Sequence, residues 1–153
     1  MGLFLPASSF SAATENYILT LRNSATAIET YLTYQDIEAL EQVSFETSTH
    51  WNDGIMTYTG PSLASVLALA GPYDKSARIK ITAANDYSHI ATPDLISKTY
   101  PILANKINGE PFSLREKGPL WVMYPFDRHA KFKTESHFSA SVWQVVEIEI
   151  LPK

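Results

Sequence analysis

The stretch from Asn108 to Asp127 constrains this chain more than any other. It opens on Asn108-Gly109, a pair in which both positions tolerate positive φ, the backbone state that a two-residue hairpin turn demands. It continues through a basic corner, Arg115-Glu116-Lys117-Gly118-Pro119, and enters the apolar run Leu120-Trp121-Val122-Met123-Tyr124. That run does not fully alternate, so it predicts a central strand covered on both faces. A strand of that kind needs a layer of structure on each side, and the rest of the chain must supply it.

The composition allows this. The chain has 153 residues, 45% of them hydrophobic and 18% charged, which describes one globular domain of ordinary size. A domain of this length buries roughly 68–70% of the surface its unfolded chain exposes, so it needs no disulfide staple, and there is no cysteine to make one. The net charge of −4 argues against a nucleic-acid partner. Only Arg128, His129, Lys131 and Lys133 gather into a basic group, read either as a mobile functional loop or as a charged connection. No apolar run reaches the ~18 residues of a membrane-spanning helix.

Strands dominate the pattern. Tyr17 to Arg22 alternates and is rich in β formers, Ala27 to Leu32 suggests a second strand, and Val43 to Thr49 alternates again. Asn52-Asp53-Gly54 is turn chemistry ahead of a strand at Ile55 to Thr59. Further strands are expected at Ala77 to Ala83, Tyr87 to Thr92 and Ile102 to Ile107. The last, Ser141 to Leu151, is expected to put Val146, Ile148 and Ile150 inward and Glu147 and Glu149 outward. Two helices are predicted. Thr33 followed by Asp36 resembles a capping box and starts one through about Gln42. Gly60-Pro61-Ser62 opens the other, with Leu63, Val66, Leu67 and Ala70 on one face and Gly71-Pro72 as its stop. A short turn or helix begins at Pro93-Asp94. The fold class is therefore α+β, a strand-rich mixed-sheet domain; the lack of strict βαβ alternation and of a dinucleotide fingerprint argues against a Rossmann fold.

Residues 1–13 read differently. Gly2 to Ala13 is apolar and then small, with no charge before Glu15, and Ser11 and Ala13 stand as in a small-x-small cleavage site. They are expected to be a signal-peptide remnant or a disordered tail, and residues 14–153 a single domain that is periplasmic or secreted.

Four pieces carry a family resemblance. Gly60 to Gly71 is similar to a "G-x-x-L-x-x-L-L-x-x-A-G" helix, and Ala84-Asn85-Asp86-Tyr87-Ser88 to a "D-G-Y" turn. Asn108 to Asp127 matches "N-G-x-P-L", a spacer, then "G-P-L-R" and a strand ending in proline. Ser141 to Ile150 resembles a closing "K-W-L-x-x-I-E-V" strand. In this order they resemble the molybdopterin-binding domain of sulfite-oxidase-like oxidoreductases, above all its small stand-alone members. The resemblance implies that fold, with molybdopterin as the family's cofactor. The chain departs from the family in three ways, one being that Phe126-Asp127-Arg128-His129 stands where the enzymes have a glycine-rich turn with a downstream basic residue. The enzymes' molybdenum-ligating cysteine falls in the segment where this chain has Phe45 to Trp51, and Trp121 stands where they usually carry arginine. A serine or threonine hydroxyl is a hard ligand and replaces a soft thiolate poorly.

The resemblance also suggests a pocket. His50, Trp51 and Asn52 would form its floor, with Trp51 stacking on a flat ring and His50 or Asn52 bonding its edge; otherwise Trp51 is core and its neighbours a turn. Arg115, Lys117 and Gly118 would offer a cation and backbone N–H groups to a phosphate-like ligand, or are a solvated corner. Asp86 and Tyr87 would line the same pocket, unless Asp86 only makes an Asx turn. The four histidines show no metal-ligand spacing, and no hydrolase or phosphate-loop motif is present. The reading is a ligand-binding or signalling module without molybdenum redox catalysis, taking a small anionic or heteroaromatic ligand. Two other readings stand beside it: a pterin-dependent oxidoreductase passing electrons to a partner, and a protein-interaction subunit.

Overall fold

The structure, a computed structural model, describes residues 16–153, so the expectation for residues 1–13 lies outside the described residues. The strands are β1 (Tyr17–Asn23), β2 (Ile28–Thr33), β3 (Val43–Thr49), β4 (Asn52–Gly60), β5 (Ile79–Ala83), β6 (Ser88–Ala91), β7 (Ile102–Ala104), β8 (Lys106–Ile107), β9 (Trp121–Met123) and β10 (Val145–Ile150). The α-helices are α1 (Tyr34–Glu38), α2 (Leu63–Leu67) and α3 (Glu135–Ala140). The main sheet runs β2-β1-β10-β5-β6, parallel between β1 and β10 and antiparallel elsewhere; β3-β4-β8 and β7-β9 form two smaller sheets. This is a strand-rich mixed α+β arrangement. No helix among the described residues is long and apolar enough to cross a membrane.

Local chemistry explains most elements. Thr33 Oγ1 accepts from the Asp36 amide at 3.1 Å while the Asp36 carboxylate accepts from the Thr33 amide at 2.8 Å, closing the capping box. The helix then ends at Glu38, short of Gln42. Ser62 caps α2, whose Leu63, Val66 and Leu67 are buried; one 3₁₀ turn carries the apolar face to Ala70, and Gly71 stops it at φ 87°. Asn108 and Gly109 take φ of 52° and 84°, and Ile107 pairs with Glu110 across the turn.

Four expectations need correction. β9 is buried on both faces, yet it does not sit inside a large sheet. Among the described residues its one strand partner is β7, and its other edge meets the chain entering β10 through an isolated Trp121–Trp143 bridge and Val122 N donating to Val142 O at 2.9 Å. The single strand expected over Ile102 to Ile107 breaks at Asn105. This buried residue donates its amide to Thr59 and its side chain to Gln42, so β7 and β8 join different sheets. β10 carries a bulge, with Val145 opposite Ala83 and Glu147 opposite Thr82. Val145 is therefore buried and Val146 is 38% exposed, the reverse of a simple alternation. Finally, α3 was not foreseen; Thr134 caps it by accepting from the His137 amide.

Candidate functional site

A cleft of about 520 Å³ opens where the β3–β4 turn, the β5–β6 turn, α3 and the chain entering β10 converge. Its lining includes His50 and Trp51 from the first, Asn85 and Tyr87 from the second, Glu135, Phe138 and Ser139 from α3, and Trp143. Each piece is held by backbone chemistry. Thr49 Oγ1 accepts from the amides of Trp51 and Asn52, both at 3.2 Å, and fixes the turn that presents Trp51. Asn85 Oδ1 accepts from the Tyr87 amide at 3.1 Å, an Asx turn that sets Asp86 at φ 72°. The Tyr87 hydroxyl donates to Ser139 O at 3.2 Å, tying that turn to α3.

The wall is aromatic. Trp121 is fully buried and donates its indole N–H to Ser141 O at 3.2 Å. Trp51 and Trp143 pack on it with ring centroids 5.8 and 6.0 Å away, and lie 5.7 Å from each other. Phe138 and His50 stand 4.9 Å apart beside them. Trp51 and Trp143 are half-buried, and neither indole N–H has a hydrogen-bond partner among the described residues. Both residues line the cleft, and a half-buried indole whose N–H has no partner keeps a donor that a ligand can use.

The candidate residues divide. His50, Trp51 and Tyr87 come together in the cleft, and Lys117 stands beside it with its ammonium 5.3 Å over the Trp143 ring. Asn52 does not line the cleft; its amide donates to the Tyr58 hydroxyl at 3.0 Å. Asp86 forms the turn and does not line the cleft. Arg115 is exposed on a 3₁₀ turn, Leu114–Glu116. The phosphate-cradle reading of the corner meets a physical obstacle. The amides of Glu116, Lys117 and Gly118 already donate to Ser113 O, Leu114 O and Ser113 O, at 2.9, 3.1 and 2.7 Å. The space left by the missing Gly118 side chain is filled by the Phe112 carbonyl, 2.0 Å from where a Cβ would stand.

Sequence reasoning missed Asn85, Glu135, Phe138, Ser139 and Trp143. Trp143 was visible within the closing motif but read only as strand. Phe138 belongs to α3, whose only start signal was Thr134 three residues before His137.

No protein-family model matches the sequence, and no curated protein matches it. Solved structures do match. The sulfane dehydrogenase SoxCD from Paracoccus pantotrophus aligns with a TM-score of 0.67 at 17% identity, covering 91% of this chain and 39% of that one. The chain thus spans well under half the length of that protein, and at this identity the likeness concerns fold. It supports a distant molybdopterin-oxidoreductase-like fold.

The residues themselves test whether the metal of such a fold would be held. In the Phe45–Trp51 segment, Phe45 is buried among rings. Thr47 Oγ1 donates to Ser48 O at 3.0 Å and accepts from the Asp127 amide at 3.1 Å. Ser48 donates from its amide and its hydroxyl to the Asp127 carboxylate at 2.7 and 2.8 Å, which holds that acid below its ordinary pKa. These oxygens are hard donors, already engaged within the protein. Among the described residues, no group of three or more His, Cys, Asp or Glu could gather around a metal ion. Hard oxygens of this kind replace a soft thiolate poorly at a metal. Glu135 is the one acidic side chain among the cleft's lining residues, and the Lys117 ammonium stands beside the lining over Trp143.

Behind the cleft, α3 is anchored by His137. Its Nδ1 lies 2.7 Å from Thr134 Oγ1, and its ring meets Tyr124 edge-on at 4.8 Å. Burial pushes the His137 pKa below its ordinary value, with Asp94 opposing and Lys131 adding to the shift. Burial likewise raises the Tyr124 hydroxyl, which donates to Leu95 O at 2.8 Å.

Proposed function

We propose that this domain is a ligand-binding module that takes a flat heteroaromatic molecule against the Trp51–Trp143 wall and works without molybdenum redox chemistry. The observation that carries this reading is the pair of half-buried indole N–H groups without partners, set among Phe138, Tyr87 and His50 in one cleft. A planar ring with carbonyl or ring-nitrogen acceptors satisfies those donors while stacking on the indoles. Base-like rings stacked on aromatic side chains are worth about 1–3 kcal/mol each by alanine substitution. The cleft volume, about 520 Å³, falls within the ~300–1,000 Å³ usual for small-molecule sites. Of the two ligand types expected from sequence, the heteroaromatic one suits this lining. An anion would face Glu135 with only Lys117 nearby to balance it.

The test is a fluorescence titration with lumichrome, pterin-6-carboxylate and adenine. All three tryptophans lie in this cluster, so their emission reports the cleft. Saturable quenching is expected from at least one neutral ring, weakened about tenfold or more in Trp143→Ala by loss of one stacking surface. If none of the three quenches, or if Trp51→Ala and Trp143→Ala both bind as wild type does, the reading is wrong. Stoichiometric molybdenum in protein purified from its native host would refute the redox-free part independently.

A further inference from the structure

A second groove of about 540 Å³ lies apart from the cleft and shares no lining residue with it. Its walls come from α2, the Gly71–Ala77 connection, the start of β5 and the loop after Pro93. The floor is apolar and reaches the core: Leu67, Ala77 and Ile79 are buried residues that nonetheless line the groove, with Ile96 beside them. Two ammonium groups, Lys75 and Lys98, line it against one carboxylate, Glu41. In a chain of net charge −4, this gives the groove an excess of positive charge.

The lysines are available. Lys75 is held near the groove by Tyr73, its ammonium 4.4 Å over the ring and 3.4 Å from the hydroxyl, a contact weak enough to yield to an anion. Lys98 has no ion pair or hydrogen bond among the described residues. The neutral donors are mostly engaged. Ser97 Oγ donates to Tyr100 O at 3.1 Å, and Ser65 Oγ to Ser62 O at 2.8 Å. Among the described residues, the Ser62 hydroxyl, which accepts from the Ser65 amide, and the Tyr73 hydroxyl, which accepts from Lys75, keep their own hydrogens free. Two point charges and two hydroxyls suit the two oxygens of a carboxylate. They are a poor match for a phosphate dianion, which draws on many directed donors and on the bidentate fork of arginine.

From this arrangement we propose that the groove binds an amphiphilic monocarboxylate, its apolar tail on Leu67, Ile79 and Ile96 and its head between Lys75 and Lys98. The proposal does not depend on the heteroaromatic reading of the cleft.

Amide chemical shifts measured during titration with monomeric octanoate test it. The amides of Leu67, Ala77, Ile79 and Ile96 should shift and saturate, while the indole N–H signals of Trp51 and Trp143 stay in place. Octylammonium and 1-octanol should bind at least about tenfold more weakly, because charge attraction and two favourable contacts are lost. The Lys75→Glu/Lys98→Glu variant changes exposed side chains and should keep its indole signals while losing octanoate binding by a similar factor; Lys75→Gln/Lys98→Gln should fall between. Unmoved groove amides, equal binding of octylammonium, or undiminished binding by both double variants would each overturn the proposal. Inorganic phosphate shifting the same amides as strongly as octanoate would overturn the carboxylate assignment.

Discussion

Gly118 separates two accounts of the basic corner, one in which glycine lets a ligand approach and one in which it lets the backbone pack. In Gly118→Ala the new Cβ would lie 2.0 Å from the Phe112 carbonyl oxygen, 2.7 Å from its carbon and 2.9 Å from the Phe112 ring. Real Cβ atoms stay beyond about 3 Å from such neighbours, so roughly 1 Å of overlap must be relieved. The obstacle is backbone rather than the end of a flexible side chain. The loop cannot simply back away, because Gly118 N donates to Ser113 O at 2.7 Å and Lys117 O accepts from Gln144 N at 3.0 Å. Overpacking of this kind costs about 3 kcal/mol, the upper part of the usual range. At ~2–4 °C per kcal/mol for a domain of this size, thermal unfolding should drop by about 6–12 °C. The assay is a melt followed by near-ultraviolet circular dichroism, with Gly54→Ala as comparator. Nothing lies within 4 Å of a Cβ at Gly54, so its φ of 73° alone opposes the substitution, at about 1–2 kcal/mol. A Gly118→Ala protein as stable as wild type would refute the packing argument and return the corner to a ligand role.

The bulge in β10 and the Ser48–Asp127 contact give two further checks. Val146→Lys should change stability by no more than ~0.5 kcal/mol, as an exposed position does, whereas Val145→Ala should lose about 1–3 kcal/mol; denaturant melts showing the reverse order would place the bulge wrongly. Asp127 is held below its ordinary pKa first by the Ser48 amide and hydroxyl, then by Lys133. The native state therefore binds fewer protons than the unfolded one. Its contribution is full above the unfolded pKa and is lost as pH falls through the lowered folded value. Ser48→Ala should accordingly be less stable than wild type at neutral pH, with the gap closing in the acid region below about pH 4; a gap that stays constant to low pH would sink this assignment.

Elements fixed by short-range chemistry were legible in the sequence. Thr33 with Asp36, Ser62 with the Leu63/Val66/Leu67/Ala70 face, and Asn108-Gly109 each satisfy their geometry within a few residues, so reading them needs no partner. Elements fixed by a distant partner were not. On β10, Ile148 and Ile150 face inward as expected, but Val146 was misplaced because the bulge exists only where Val145 meets Ala83. Ile102 to Ile107 was taken as one strand because the tie from Asn105 to Gln42 spans 63 positions. For the same reason the candidate site was half visible. Tyr87 follows a turn that declares itself. The other turn lies at His50–Trp51, two residues before the expected Asn52-Asp53-Gly54, which begins β4. Phe138 and Glu135 reach the cleft only because α3 packs beside β6.

Asn108 to Asp127 shows the division within one segment. By itself the sequence determined its turn, its Gly-Pro corner and the burial of Leu120 to Tyr124, because positive φ, missing side-chain bulk and apolar surface act locally. Only the tertiary structure decided that β9 would take β7 on one edge and the chain at Trp143 on the other, that the Gly118 gap would be filled by Phe112, and that Lys117 would lie over Trp143. Those outcomes depend on which distant backbone groups and rings occupy the remaining space. Neither spacing nor composition encodes that.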